Sequence, residues 1–313
     1  MKKLLFIFAI TASALVSCET LVNDVDQSRL PQTSRQLVIH GYFSPQDTLL
    51  QVSVGISSPV TGANVGRNFG GTVFSLPGAE VTLSNQGRSI QLLFNSKVNH
   101  YAVKASEMPI LAGQTYNLKV TLNGQTVESS CMIPRAVAIS EVREDSVVAQ
   151  GFFSSNPNVV PPKDRTYRLF WQDAAGEANF YRVSGYLYQV QRFQTGMNQF
   201  REQPSLANIR FNDGRSNSSF ITDERQDGTL MASGVGRLNS FWFQNSPNVV
   251  ANTRRAELSL ISCEKIYYDY HRLIESFDGD NPFSEPTLIP SNIKGGLGCF
   301  AGYNRTNFMV KLR

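Results

Sequence analysis

Hydrophobic and polar positions alternate with a period of two along much of this chain. In residues 50–56, four aliphatic side chains alternate with Gln, Ser and Gly, which predicts a strand with one buried face. Similar short runs, bounded by Gly, Pro and Asn, predict further strands at residues 37–43, 79–84, 90–94 and 101–105. Several short strands in succession are typical of a β-sandwich.

The stretch "YNLKVTLNGQTVESSCMIP" predicts a hairpin. Asn123 and Gly124 are the residues that a two-residue type I′ turn prefers. That turn places Lys119 opposite Glu128 on one face and directs Cys131 to the other, apolar face. Cys131 is therefore interpreted as a small core residue with an inert thiol.

The second half of the chain predicts strands and long loops. Alternation indicates strands at residues 137–142, 167–173, 180–190, 240–244 and 256–262, and a last strand in "TNFMVKLR". Residues 191–236 are richer in Asn, Gln, Arg and Ser, which favours long surface loops, where binding residues are often found.

One segment has a helical period. The apolar positions of "EKIYYDYHRLIESF" recur every three to four residues, which predicts an amphipathic helix over about residues 263–277. Ser262 is the expected N-cap, Glu264 lies in the first turn, and Asp278-Gly279 is the expected C-cap. Its tyrosine stripe is expected to pack in the core.

Together these elements predict a mainly β fold in two domains, because about 300 residues exceed what one core usually serves. An immunoglobulin-like β-sandwich is expected over residues 35–134, ending at Pro134, which stops a sheet. A larger β-rich domain with the single amphipathic helix is expected over residues 137–313.

The first residues predict export and a lipid anchor. Lys2 and Lys3 precede an apolar run that is too short to span a bilayer, so residues 1–17 are predicted to be a signal peptide. "ALVSC" is similar to the bacterial lipobox, which implies lipidation of Cys18. The following Glu19, rather than Asp, favours the outer membrane. Residues 18–34 show little apolar periodicity and are interpreted as a tether.

Charge and composition narrow the range of partners. Removing Lys2 and Lys3 lowers the formal net charge from +4 to +2, which gives no electrostatic case for nucleic acid. Charged residues make up only 17% of the chain, against about 25% in typical proteins, so Asn, Gln, Ser and Tyr must supply much of the surface polarity.

The segments "SLISCEKIYYDYHRLIES", "NPF" and "SNIKGGLGCF" resemble the C-terminal signature of a Bacteroidota outer-membrane lipoprotein family, domain of unknown function 4249. "QLVIHGYFS", "SSPVTG", "PGAEVTLS" and "GEANFYRV" follow the order of that family as well. The resemblance implies an accessory lipoprotein that is the surface partner of a TonB-dependent β-barrel. Cys299 departs from the pattern, where an aromatic or aliphatic residue is more usual.

The glycine- and proline-rich segment after the helix is a candidate docking loop. It predicts a rigid, shaped loop, because glycine permits close backbone approach and proline stiffens the chain. The loop either packs the helix onto the sheet or presents a fixed docking surface. Its named residues are Asn281, Pro282, Phe283, Asn292, Gly295, Gly296 and Gly298.

No motif in the sequence indicates catalysis, a cofactor or a metal site. His40, His100 and His271 show no metal-ligand spacing, and HExxH, CxxC and GxSxG are absent. "DGDN" at residues 278–281 resembles the start of a calcium loop, but the twelfth position is Ile289 rather than Glu. The sequence therefore predicts a protein that is not an enzyme.

Covalent modification is predicted at two kinds of site. Cys263 and Cys299 flank the helix and are the one pair considered for a disulfide, although spacing alone fixes no connectivity. "DTL" and "DSV" resemble a bacterial O-glycosylation acceptor, which implies sugar on Thr48 and Ser146.

These features predict a lipid-anchored outer-membrane accessory protein at the cell surface, which docks on a TonB-dependent receptor and aids ligand capture or uptake. Two alternatives stay open. One is a structural subunit of an outer-membrane assembly or secretion complex. The other is a surface hydrolase, which would need a deep pocket holding His100 or His271 beside a carboxylate and a hydroxyl.

Overall fold

The computed structural model describes residues 35–57, 75–148, 158, 160–161, 163–197, 199–212, 219–238, 249–276 and 288–311. The predicted signal peptide, Cys18, the tether, the strand at residues 240–244 and the helix C-cap lie outside these residues. Asn281, Pro282 and Phe283 of the candidate docking loop also lie outside them. From Gln36 onward, the described residues belong to one compact unit.

The protein is mainly β with a single helix among the described residues, as predicted. The helix, α1, is Lys265–Ser276. The strands are β1 Leu37–Phe43, β2 Leu49–Ile56, β3 Glu80–Asn85, β4 Arg88–Asn95, β5 His100–Lys104, β6 Thr115–Leu122, β7 Gln125–Met132, β8 Ile139–Val148, β9 Lys163–Gln172, β10 Phe180–Gly196, β11 Gln199–Asn212, β12 Phe220–Thr222, β13 Leu230–Ala232, β14 Val235–Leu238, β15 Val249–Cys263 and β16 Leu297–Lys311.

One path of paired strands runs through both halves of the chain. Its order is β13-β9-β14-β11-β10-β15-β16-β1-β2-β5-β4-β3-β6-β7, with β12 beside β10 and β8 beside β9. The two halves meet where β1 pairs with β16 in parallel. Every other pairing within this path is antiparallel. The domain division at residues 134–137 and the immunoglobulin-like detail stay predictions.

The predicted hairpin is confirmed. Lys119 pairs with Glu128 across β6 and β7, and Cys131 is 1% exposed. Asn123 and Gly124 have φ values of 49° and 78°, as the type I′ turn requires.

The prediction of long loops over residues 191–236 is wrong. β10 continues to Gly196, and β11 to β14 occupy most of the region. Leu187 and Ala207 are the members of a buried core nearest to the turn between β10 and β11, and both strands continue beyond them toward that turn. In β11, residues 199–206 are exposed or half-buried without alternation, so the sequence pattern that signals a strand is missing there.

The predicted N-cap is also wrong. Ser262 lies within β15, and α1 begins at Lys265, directly after Glu264. The Glu264 carboxylate accepts hydrogen bonds from Met132 N at 2.8 Å and Gly302 N at 2.6 Å. The Glu264 side chain therefore joins the start of the helix to β7 and β16, while its backbone oxygen accepts from Tyr268 N at 3.0 Å in the first turn.

Three buried clusters hold the fold together. The apolar core contains residues of β1 to β7 and their turns, with Ile293 and Phe300. A second core lies among β9, β10, β11, β13, β15 and β16. The third, the aromatic cluster, lies beneath α1 and comprises Ile261, Cys263, Tyr267, Tyr268, Tyr270, Cys299 and Ala301, with Tyr42, Phe180, Phe220, Ile266 and Tyr303 partly buried around them.

Gly298 allows β16 to lie against β1. Its φ is +113°, and a Cβ at this position would lie 2.0 Å from the carbonyl oxygen of Ile39. Only glycine fits such a close backbone approach. Gly298 therefore lies in a strand, whereas the sequence predicted a loop. No helix among the described residues is long and apolar enough to cross a bilayer.

Candidate functional site

An open groove of about 770 Å³ lies along the outward face of β3, β6 and β7. Its lining combines short polar side chains with three charged ones. The lining residues are Thr82, Ser84, Asn117, Leu118, Lys119, Glu128, Ser129, Ser130, Ser291, Asn292, Ile293 and Lys294.

Cross-strand pairing sets the floor of the groove. Ser84 pairs with Asn117, which pairs with Ser130, so their side chains form one polar row across three strands. In the next row, Lys119 Nζ lies 3.8 Å from a carboxylate oxygen of Glu128, and both side chains are 59% exposed. The floor is therefore a rigid, hydrogen-bonded sheet that presents hydroxyl, amide and paired charged groups to solvent.

Residues 291–294 form the wall of the groove. Lys294 N donates to Glu128 O at 2.8 Å, and Glu128 N donates to Lys294 O at 3.2 Å. The hydroxyl of Ser129 donates to Asn292 O at 2.9 Å. Because each of these bonds joins the backbone of the wall to β7, the wall is held at a fixed distance from the floor.

Asn292 attaches the wall to β16 as well. Its Oδ1 accepts from Phe300 N at 3.0 Å, and its Nδ2 donates to Phe300 O at 2.6 Å. This side chain thus satisfies both backbone groups of one strand residue, as a neighbouring strand would. The segment therefore packs onto β7 and β16 and also lines the groove, and its role as a docking surface stays a prediction.

The lining supports binding by hydrogen bonds and charge. It contains two lysines, one glutamate, two asparagines and several hydroxyls, and no histidine or cysteine. His100 lies in β5, where its Nδ1 contacts Asn99 O, and His271 lies in α1. Neither histidine lines this groove.

The predicted disulfide is not formed, because Cys263 and Cys299 are both buried free thiols. Cys263 pairs with Tyr303 across β15 and β16. Cys299 lies four residues before Tyr303 in β16, which places it about 13 Å from Tyr303 at the rise of an extended strand. A disulfide needs Cα atoms within about 7 Å of each other. Burial raises the pKa of Cys299 to about 12, so its thiol is protonated at neutral pH.

Both predicted glycosylation residues are exposed. Thr48 follows Asp47 in the turn before β2, and Ser146 lies in β8. Their hydroxyls are accessible to a modifying enzyme, and the modification stays a prediction.

Two of the three histidines pack against the aromatic cluster, which the sequence analysis did not predict. His40 Nε2 lies 2.6 Å from the hydroxyl of Tyr270. The His271 ring is 4.3 Å from that of Tyr267 and 4.8 Å from that of Tyr42. Burial lowers the pKa of both histidines, that of His271 to about 4, with Arg182 and His40 adding to the effect on His271. Both rings are therefore neutral at neutral pH.

Polar contacts tie this cluster to the rest of the sheet. Arg182 of β10 donates to the hydroxyl of Tyr267 at 3.1 Å and forms an ion pair with Glu275. Tyr303 donates to Asp47 at 3.2 Å. Since these side chains pack against one another, the cluster fixes α1 to the sheet.

A cluster of three carboxylates was also missed by the sequence analysis. Oxygens of Asp173, Asp223 and Asp227 lie within 4.8 Å of one another, and the first two residues are buried. The donors to them are Tyr181 Oη and Gly228 N to Asp173, Asn179 N to Asp223, and Gly176 N to Asp227. The carboxylates thus join residues 173–179 to residues 222–228. Only the fold brings these two turns together, and we assign the cluster this structural role.

One protein-family model matches nearly the whole chain. The model of the family described as "Domain of unknown function (DUF4249)" matches residues 19–308. A search of curated proteins finds no match.

Proposed function

The chain belongs to this DUF4249 family, and from that premise we propose that it is a lipid-anchored, non-catalytic accessory protein of the bacterial outer membrane. It docks on a TonB-dependent receptor at the cell surface and aids ligand capture or uptake. Cys18 carries the acyl anchor, and the groove binds the ligand.

The groove is the observation that carries the binding role. Its floor and wall are fixed by backbone hydrogen bonds, so little conformational entropy is lost when a ligand binds. Its polar lining suits a hydrophilic ligand with several hydrogen-bonding groups. The charged groups inside it, Lys119, Glu128 and Lys294, favour a ligand that carries at least one negative charge.

The lipid anchor makes even weak binding of a ligand by the groove effective. A chain held at a membrane by one acyl group and by protein contacts acts at a high effective concentration beside its partner. A ligand released from the groove then meets the partner before it diffuses away.

The first experiment is a tagged pull-down from gently solubilised native outer membrane, with mass spectrometry of the co-purifying proteins. We expect one stoichiometric TonB-dependent barrel. An assembly or secretion complex in its place would favour the structural-subunit alternative. A partnerless lipoprotein would contradict both.

Two variants separate the anchor from the groove. Cys18→Ser should leave the membrane fraction and lose the mass of the lipid. Asn117→Trp should fill the groove and reduce uptake of the barrel's substrate while the barrel still co-purifies. Thr126→Trp is the matched control, because Thr126 lies on the outward face of the same hairpin and does not line the groove. Equal uptake by the two tryptophan variants would exclude the groove as the ligand site.

A further inference from the structure

The outward face of β10, β11, β15 and β16 exposes large apolar side chains. Leu187 and Ala207 are buried in the second core, so their strand neighbours Tyr186 and Leu206 point to the opposite face. Tyr186 is 42% exposed, Leu206 60% and Met309 46%. Met309 is on the same face, because Glu257 lies between it and Tyr186 in register. We call this surface the docking face.

The apolar strip continues toward the end of the β10–β11 hairpin. Pro204, Glu202 and Phe200 lie on the same face of β11 as Leu206, at two-residue spacing, and Phe200 is 48% exposed. Met197, in the turn between the two strands, is 95% exposed. Exposed apolar patches of this kind mark interaction sites more often than single exposed side chains do.

Two like-charge pairs lie on the same docking face. Arg255 is the cross-strand neighbour of Lys311, and Arg210 is the cross-strand neighbour of Arg237. None of the four forms an ion pair with a carboxylate among the described residues. Like charges directly opposite each other in a sheet are destabilising. These four cations therefore favour an anionic group from outside the described chain.

The charges also decide which kind of partner fits. Glu202 and Glu257 lie on this face too, and the Glu257 carboxylate accepts from Tyr188 Oη at 2.8 Å and Asn307 Nδ2 at 2.8 Å. Carboxylates are costly in hydrocarbon, so a lipid bilayer is a poor partner. In a symmetric dimer each docking face would bring its own cations against those of the other copy, which disfavours a second copy.

We propose that the docking face binds a protein surface that is apolar at its centre and carries carboxylates opposite Arg210, Arg237, Arg255 and Lys311. Tyrosine, methionine and arginine are enriched at the centres of protein interfaces. This inference deepens the proposed function, on which it rests for the identity of the partner as an outer-membrane β-barrel. The groove, on the β3–β6–β7 face, remains accessible to ligand.

The test is site-specific photo-crosslinking of the full chain in native membranes. A photoreactive residue at Leu206 should give one crosslinked protein. The same residue at Gln203, which is exposed on the other face of β11, should give none. A crosslink to lipid, to a second copy of the chain, or of equal yield from both positions would overturn the proposal.

Charge reversal tests the electrostatic part without disturbing the fold. The double variant Arg210→Glu and Lys311→Glu turns both like-charge pairs into opposite-charge pairs, so its unfolding midpoint should be unchanged or higher. Its crosslink yield from Leu206 should nevertheless fall at least tenfold. Arg201→Glu, on the opposite face of β11, is the matched control and should keep the yield. Loss of yield in both variants, or in neither, would count against the docking face.

The same data separate the two proposals. If the crosslinked protein is a barrel and the reversal abolishes the crosslink, both hold. If the wild-type chain co-purifies with a barrel that crosslinks equally from both positions, the docking face fails and the proposed function survives. If the face crosslinks one protein that is not a barrel, the docking face survives and the proposed function fails.

Discussion

β1 and β16 lie between two buried regions of different chemistry. On one face, Leu37, Ile39 and Phe300 enter the apolar core. On the other, His40 contacts Tyr270, and Cys299 lies in the aromatic cluster beneath α1. The same two strands therefore contribute alternate residues to a core of aliphatic and aromatic groups and to a region that includes two histidines.

The difference shows how each region is stabilised. Burial of apolar area stabilises the apolar core independently of pH. The aromatic cluster also buries polar groups, and these need hydrogen-bond partners or must stay neutral. His271 Nε2 is buried without a partner among the described residues, so its neutral form is part of the packed state. We therefore expect the two regions to respond differently to mutation and to pH.

Gly298→Ala should destabilise both regions at once and cause the largest loss in the free energy of unfolding. An added Cβ would lie 2.0 Å from Ile39 O, and the φ of +113° is strained for any residue with a side chain. We expect a loss of at least about 3 kcal/mol in the free energy of unfolding, measured by circular dichroism during thermal unfolding and accompanied by low soluble yield.

Gly55→Ala provides the control for that variant. The nearest atom to an added Cβ at Gly55 is 3.8 Å away, and its backbone is not left-handed. Its melting temperature should stay close to that of the wild-type protein. A Gly298→Ala protein that melts with the control would show that β1 and β16 can move apart without loss of the fold.

Leu83→Ala should damage the apolar core alone. Leu83 of β3 is 0% exposed, and removing a buried leucine side chain costs about 2–5 kcal/mol. The loss, measured by urea unfolding, should be the same at pH 4.5 and pH 7. Leu93→Ala, at a leucine that is 66% exposed, should cost much less. A pH-dependent loss in Leu83→Ala would mean that the two regions are coupled.

His271→Gln should change the pH dependence of stability through the aromatic cluster. The pKa of His271 is lowered to about 4 in the folded protein, from 6.5 in the unfolded chain. Between these values the unfolded chain binds more protons, so this residue makes stability fall as the pH falls from 6.5 toward 4. Each pKa unit corresponds to roughly 1.4 kcal/mol.

The titratable groups that help to lower the pKa of His271 are Arg182 and His40, and Arg182 is paired with Glu275. Burial raises the pKa values of Glu264 and Asp47, and such groups lose stability in the opposite direction, as the pH rises. The difference between wild type and His271→Gln isolates the histidine. His100→Gln, outside the cluster, is the control. Parallel stability curves for all three proteins would exclude a buried, neutral His271.

The same comparison explains how much could be predicted from sequence. Alternation identified β1 because its apolar positions face a core, but His40 and Tyr42 have the spacing of solvent-facing residues. Only the contact of α1 with the sheet reveals that they are covered. The parallel pairing of β1 with β16 joins segments about 260 residues apart in sequence, and local pattern carries no information on such a partner.

Only some residues of the candidate site could be selected from the sequence. Asn292 was selected because it lies in the glycine- and proline-rich segment after the helix, and it lines the groove. Ser84, Asn117 and Ser130 were not selected, because outward-facing polar residues in strands look alike until register places them in one row. The Lys119–Glu128 contact could be derived, since the Asn-Gly turn fixes the register of its hairpin.

The Lys119–Glu128 pair should show the smallest effect. Both side chains are 59% exposed at a separation of 3.8 Å, and exposed pairs couple by about 0.2–1 kcal/mol. A double-mutant cycle of Lys119→Ala and Glu128→Ala, measured by urea unfolding at low and high salt, should give a coupling in this range that weakens with salt. Unlike the buried groups beneath α1, these charges stay hydrated in the folded protein, so little stability depends on them. A coupling much larger than this range would mean that the groove floor needs the pair to fold. A small one leaves both charges available for a ligand at little cost to stability.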